Sequence, residues 1–226
     1  RSRMKRNCSL EEISDGRLYS INDMVRADCQ DCKGCSDCCK GMGESIVLDP
    51  YDVYRLKKGL NTDFNGLLST CMELNVFDGI ILPNLRLSGK DEKCTFLNAQ
   101  GRCDIHQFRP GICRLFPLGR YYENGGHKYF LQIYECTNKS RSKIKVSKWI
   151  DTPELKTHEK YIDEWHYFLK AIQDNAAKIS ESDLKNINMY ILNQFYVTMS
   201  VNENFYQVFC EKLKCAKESL NSITDI

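Results

Sequence analysis

Five cysteines fall within residues 29 to 39, in the run Cys29-Gln-Asp-Cys32-Lys-Gly-Cys35-Ser-Asp-Cys38-Cys39. The spacing is C-x2-C-x2-C-x2-C-C. A two-residue gap lets a tight turn set two sulfurs on one metal ion or cluster edge while the intervening amide N–H groups point at the thiolates. Gly34 and Gly41 supply the backbone freedom that such turns need. Five thiolates packed this closely without a cation would repel one another and hold their protons. The run therefore reads as a ligand set for a metal or cluster, with redox disulfide exchange as the competing chemistry.

Four further cysteines, Cys94, Cys103, Cys113 and Cys136, stand at the ends of what read as short elements. Cys94-Thr-Phe-Leu and Arg102-Cys103-Asp-Ile flank the polar turn Asn98 to Gly101, a hairpin pattern that brings Cys94 near Cys103. Cys113 follows Pro110-Gly111, a turn signal. Cys136 ends a second hairpin, predicted as Leu118–Tyr122 and Tyr129–Tyr134 around residues 123 to 126. Of the 13 cysteines, Cys8, Cys71, Cys210 and Cys215 stand alone and read as packing or surface residues. An odd total and no apolar run behind the basic N-terminus argue for reduced thiols in a reducing compartment rather than a disulfide framework. Arg1 to Arg3, before Met4, read as an expression remnant.

The remaining elements must hold these ligands in place. Asp49-Pro50 caps an amphipathic helix over Tyr51 to Leu60, and Thr62-Asp63 opens a second with Phe64, Leu67, Leu68, Cys71 and Leu74 on one face. Phe77 to Leu87 reads as one strand and an edge, interrupted by Pro83. The segment opened by Thr152-Pro153 carries Ile162, Trp165, Leu169, Ile172, Ala176 and Ile179 at alternating spacings of three and four, an apolar helical seam. Leu184, Ile187, Ile191, Phe195 and Thr198 mark a second helix from near Ser182-Asp183, and Phe205, Phe209, Leu213 and Leu220 a third. The aromatic residues of these faces, Trp165, Phe168, Tyr190, Phe195 and Phe205, are expected to pack a core rather than line a pocket. His158 and His166 are read as surface or core residues.

At the cysteines the sequence looks familiar. Cys32-x2-Cys35-x2-Cys38-Cys39, followed by Cys94-Thr-Phe-Leu and then Cys103-Asp-Ile-His106-Gln-Phe-Arg109-Pro110-Gly-Ile-Cys113-Arg114-Leu-Phe116-Pro117, resembles the YkgJ-like cysteine-cluster family, a zinc- or iron-chelating CxxCxxCC domain. The resemblance covers about residues 29 to 136. Cys29 departs from it by preceding the usual first cysteine, and His106 stands where the family more often has tyrosine, so no role is carried to it. Flagellin lysine methylases have a similar cysteine domain, carry an iron–sulfur cluster and use S-adenosylmethionine. The resemblance thus implies a cluster first, with an S-adenosylmethionine-dependent protein-modifying enzyme as an alternative. No G-x-G-x-x-G follows a strand, and the C-x3-C-x2-C spacing of radical enzymes is absent.

Four thiolates suit both tetrahedral zinc and a cubane cluster. Zinc sites usually come as two separated C-x2-C pairs or with histidine, whereas this run is dense and poor in histidine. The expected cofactor is therefore an iron–sulfur cluster, one or two, [4Fe–4S] by preference, with zinc as the alternative. Its candidate ligands are Cys29, Cys32, Cys35, Cys38, Cys39, Cys94, Cys103, Cys113 and Cys136. Arg102, Arg109, Arg114 and Arg120 surround the later cysteines, and Arg109 and Arg114 are expected beside the cluster, offsetting thiolate charge or fixing the turns.

With 32 basic and 30 acidic residues the formal charge is +2, which argues against a nucleic-acid partner, and no apolar stretch is long enough for a membrane span. The strip Lys139, Arg141, Lys143, Lys145 and Lys148 reads as a solvated connector. The expectation is an α+β chain: an expression remnant at 1–3 aside, an N-terminal segment 4–28, a small cysteine-cluster domain with short hairpins over 29–136, a basic connector 137–150 and a C-terminal bundle of about three helices over 151–226. Functionally it reads as a cytoplasmic iron–sulfur protein, redox-active or oxygen-sensing, with a protein or redox partner. A zinc-stapled interaction module is a further alternative.

Overall fold

A computed structural model describes residues 9–29, 35–138 and 140–224, with side chains through Leu220. The expectations resting on residues 1–4, Cys8, Cys32, Gly34 and Lys139 lie outside the described residues. In chain order the elements are α1 (Leu10–Ile13), β1 (Met24–Asp28), α2 (Pro50–Leu60), α3 (Phe64–Thr70), β2 (Met72–Phe77), β3 (Ile80–Leu85), β4 (Leu87–Ser88) and β5 (Lys93–Cys94). Then come α4 (Gly111–Leu115), β6 (Leu118–Glu123), β7 (Gly126–Leu131), β8 (Ser142–Lys145), α5 (Val146–Ile150), α6 (Leu155–Asn175), α7 (Glu181–Leu192) and α8 (Phe205–Thr224). The strands pair two by two and antiparallel, β1 with β8, β2 with β3, β4 with β5 and β6 with β7. The fold is α+β, with short hairpins first and several helices toward the C-terminus.

Local chemistry accounts for the elements that follow the sequence. The Asp49 carboxylate accepts from the Asp52 N–H at 2.9 Å, and Asp52 reciprocates to the Asp49 N–H, so α2 begins with a capping box and Pro50 in its first turn. It ends at Asn61 in the left-handed region, φ 50°. The β6–β7 hairpin turns on Asn124-Gly125, both with positive φ, the pair a two-residue turn of this kind favours.

Other elements differ from the reading. Helix α3 stops at Thr70, so Leu74 lies on β2, and Asp78-Gly79 closes a full hairpin where one strand and an edge were expected. Cys71 is buried, as expected. The Cys94/Cys103 hairpin reduces to a single bridge, Leu97 with Cys103, because Cys94 pairs with Leu87 instead. Pro110-Gly111 begins helix α4, so Cys113 is helical rather than just past a turn. The stretch 137–150, expected as a connector, carries β8 and α5. Helix α6 ends at Asn175, leaving Ala176 in a 3-10 turn and Ile179 extended beyond it.

The chain divides into two compact units, and the division interrupts the stretch 29–136. Val47–Arg86 belong with the residues from Glu164 onward, while the residues up to Ile46 belong with Leu87–Asp163. In the first unit Trp165, Phe168, Phe195 and Phe209 meet ring to ring and are buried, so these aromatics form a core. Lys57 is buried there as well. Its ammonium donates to the carbonyls of Tyr196, Val197 and Met199 at 3.3, 3.2 and 2.7 Å, satisfying groups left open where the chain after α7 ends its π-helical turn. In the second unit Val25, Ala27, Cys29, Leu115, Leu118, Tyr129, Leu131, Val146, Trp149 and Ile150 form one apolar core. Among the described residues no helix is long and apolar enough to cross a membrane.

Candidate metal centre

The clustered cysteines that are described all lie in the second unit. The β1–β8 ladder pairs Met24 with Lys145, Val25 with Ile144 and Asp28 with Ser142, and the Ser142 hydroxyl donates to the Asp28 carboxylate at 3.0 Å. That ladder fixes Cys29, the next residue after β1, against the segment that leads into β8. Cys29 is only 6 % exposed. Across from it, the Thr137 hydroxyl donates to Asp37, which opens the 3-10 turn Asp37–Cys39. The Gln132 N–H donates to the Pro117 carbonyl at 3.0 Å and holds the approach to β6 in the same place.

These three ties produce one cleft. Cys29, Cys35, Cys38 and Cys136 line it, with Asp37, Glu135, Phe116 and Pro117 among the other walls. Its volume is about 350 Å³, part of it open to solvent. None of the four histidines lines it. The Cys136 thiol is pushed up chiefly by burial, while the nearby Arg141 guanidinium pulls it down and the neighbouring Cys29 and Cys35 push it up further.

A second group of thiols adjoins the first. Cys38 and Cys39 share a hydrogen bond that, with burial, drives the Cys38 thiol far above its ordinary range. Lys40 bridges Lys93, the Gly41 N–H donates to the Glu92 carbonyl at 3.2 Å, and the Leu97 N–H donates to the Cys94 carbonyl at 3.0 Å. Leu97 in turn bridges Cys103. Consecutive backbone pairings therefore run from Cys39 past Cys94 to Cys103. Burial pushes the Cys103 thiol up, and the Arg109 guanidinium lowers both Cys103 and Cys38.

The Arg109 guanidinium is also paired to His106. Arg114 bonds backbone carbonyls, the turn-fixing alternative of the two expected for it. It is buried, and its guanidinium donates to the backbone carbonyls of Asp151 and Gln107, fastening α4 to α5 and to the turn His106–Phe108. Cys113 is half-buried on α4 next to this anchor. Asp37 and Glu135 line the cleft and were not singled out in the sequence, and Arg141, read there as part of a solvated strip, acts on Cys136. Asp37 sits inside the cysteine run and Glu135 beside Cys136, so adjacency to a ligand was the available signal for both. Cys32 lies outside the described residues.

The donor set fits a metal. No disulfide joins the described cysteines, and four thiols gathered on one cleft are soft donors of the kind that zinc and iron–sulfur groups take. As they lie, no three His, Cys, Asp or Glu side chains among the described residues stand close enough together to hold an ion.

No curated protein and no solved structure matches the chain. A family model named CxxCxxCC and described as a "putative zinc- or iron-chelating domain" matches residues 31–144, half of the chain and nearly the whole span of the thiol groups. By that match, the chain belongs to the CxxCxxCC family of zinc- or iron-chelating domains.

Proposed function

We propose that this chain is an iron–sulfur protein whose cluster is held by thiolates drawn from residues 29 to 136 and responds to oxygen or to a redox partner. The observation that carries the reading is the thiol-rich lining: four cysteines and no imidazole on one cleft, with a second thiol group beside it. Cysteine thiolates are the usual ligands of iron–sulfur clusters, whereas zinc sites commonly recruit histidine. Arg109 and Arg141 act on these thiols and supply positive charge to offset thiolate charge, one of the levers that set a cluster's potential. The cleft is partly open to solvent, which gives a small oxidant access.

Binding also acts on the fold. A group bridging Cys29 or Cys35 to Cys136 closes a loop of about a hundred residues, so part of its binding energy is folding energy. A reducing compartment, the cytoplasm, suits a chain whose described cysteines carry no disulfide. The test is purification without air, followed by iron and acid-labile sulfide analysis. Coloured protein with iron and sulfide in similar amounts is the expected result. Colourless protein holding zinc alone contradicts it and turns the reading to a zinc-stapled interaction module.

A further inference from the structure

Away from the thiols, the second unit holds a cluster of ionisable side chains where β7 meets α6. The His127 side chain is 2 % exposed, with Nδ1 2.5 Å from the Asp163 carboxylate and Nε2 3.9 Å from Oε1 of Glu159. Glu159 and Asp163 stand one turn apart on α6, so both face the hairpin. Tyr129 donates its O–H to the same Glu159 oxygen at 3.2 Å. Arg120 and Tyr122 of β6 and Tyr129 of β7 complete the surroundings, the two tyrosine rings centred 5.6 and 5.0 Å from the imidazole.

A carboxylate only accepts, so the imidazole proton belongs on Nδ1, which donates it to Asp163. Nε2 is then a bare acceptor. It is buried and makes no hydrogen bond, and the Glu159 carboxylate it faces is an acceptor too. Between the two, one proton is missing. Burial pushes the Glu159 carboxyl up, with the Asp163 charge adding to it and Tyr129 and Arg120 opposing. Burial pulls the His127 imidazole down, against its bond to Asp163 and together with the Arg120 charge. Both directions favour a neutral imidazole beside a protonated carboxyl.

We propose that Glu159 and His127 form a one-proton switch that clamps the β6–β7 hairpin to α6 as the medium turns acidic. A proton from solvent adds to the Glu159 carboxylate, cancels its charge and is donated to Nε2 of His127, the 3.9 Å gap closing by about 1 Å. At higher pH Glu159 is ionised, and the hairpin is tied to the helix through the Tyr129 and Asp163 bonds. The hairpin lies between two walls of the cleft, since Pro117 precedes β6 and Cys136 follows β7.

The test follows the Glu159 carboxyl and the His127 ring of the full, isotope-labelled chain by NMR from about pH 8 to about pH 4, each signal assigned through its own backbone. Glu159 is expected to titrate above the ordinary glutamate value of about 4.3, while His127 keeps its neutral Nδ1–H form through that midpoint and its Nε2 shift moves in step. An imidazolium at His127 before Glu159 takes up its proton, or a Glu159 midpoint at or below the ordinary value, overturns the switch. Glu159→Gln supplies the donor at every pH, because its amide N–H reaches toward Nε2 while its carbonyl still accepts from Tyr129. At about pH 7.5 an imidazole is largely neutral whether the hairpin is closed or open. There, hydrogen exchange of the β6–β7 amides should slow by about fivefold in Glu159→Gln and not in Glu159→Leu, which has no donor. Wild-type exchange in Glu159→Gln, or equal slowing in Glu159→Leu, contradicts the bond to Nε2. If a variant does not fold, the wild-type titration decides.

Discussion

Replacing Arg114 by methionine separates an anchor of the backbone from a neighbour of the metal. Arg114 is 7 % exposed and donates from its two terminal nitrogens to the carbonyls of Asp151 and Gln107, the latter at 3.2 Å. Asp151 is the left-handed residue, φ 45°, that ends α5, and Gln107 lies in the turn that precedes α4. Methionine keeps much of the side-chain volume and removes both bonds. Hydrogen bonds from a charged donor each contribute roughly 1.5–3 kcal/mol, and the relief of no longer burying a guanidinium returns part of that. A net loss of about 2–4 kcal/mol follows, which at this chain length lowers the midpoint of thermal unfolding by roughly 5–15 °C. The assay is thermal unfolding by circular dichroism, on metal-free and on metal-loaded protein. Because Arg114 grips the Asp151 and Gln107 carbonyls, the drop should be similar in both. A loss under about 1 kcal/mol, or a loss confined to the loaded protein, refutes the assignment and returns Arg114 to the centre.

Arg109→Met should do the opposite, weakening metal retention against a chelator with little change in the melting of the metal-free protein, because its guanidinium lowers the Cys38 and Cys103 thiols. A large stability loss without metal contradicts this. Lys57→Met removes three hydrogen bonds to the Tyr196, Val197 and Met199 carbonyls and should cost about 2–4 kcal/mol in a urea titration, where no shift of the midpoint would count against the buried anchor. Gly119→Ala places a Cβ 2.3 Å from Cζ of Phe130, and ring movement in the β6–β7 hairpin should cost roughly 1–3 kcal/mol; a neutral substitution contradicts the register. Burial raises the Cys103 and Cys136 thiols, so the metal-free protein carries protons that the loaded one lacks. Loading therefore releases protons, and affinity should strengthen as pH rises through the neutral range, by up to about tenfold per pH unit for each proton displaced. Affinity that does not change with pH would contradict thiolate ligation.

What the sequence made legible was whatever depends on neighbouring residues. Asp49-Pro50 specifies the start of α2 because a carboxylate cap and a fixed φ act within one turn, and Glu123 to Gly126 specifies a hairpin because few residue pairs tolerate its backbone. The spacing of the cysteines likewise announced metal chemistry. Patterns that fit two structures misled: Leu67, Cys71 and Leu74 continue a helical face on paper, while the Asp78-Gly79 turn pulls Leu74 into β2. Strand β8 was hidden by its lysines, which a two-stranded edge tolerates with one face in water. The grouping of ligands was least legible. Cys29 reaches Cys136 only because β1 pairs with a strand more than a hundred residues away, and no local periodicity records such a pairing. Arg114 shows the same limit, since its carbonyl partners are set by tertiary packing.

X-ray absorption at the metal edge of wild-type protein loaded without air tests the core of the account most directly. A coordination shell of sulfur alone, with iron as a second scatterer, is the result expected of thiolates collected from distant parts of the chain around a cluster. A shell containing nitrogen or oxygen donors, from imidazole or from Asp37 and Glu135 at the cleft wall, would contradict it.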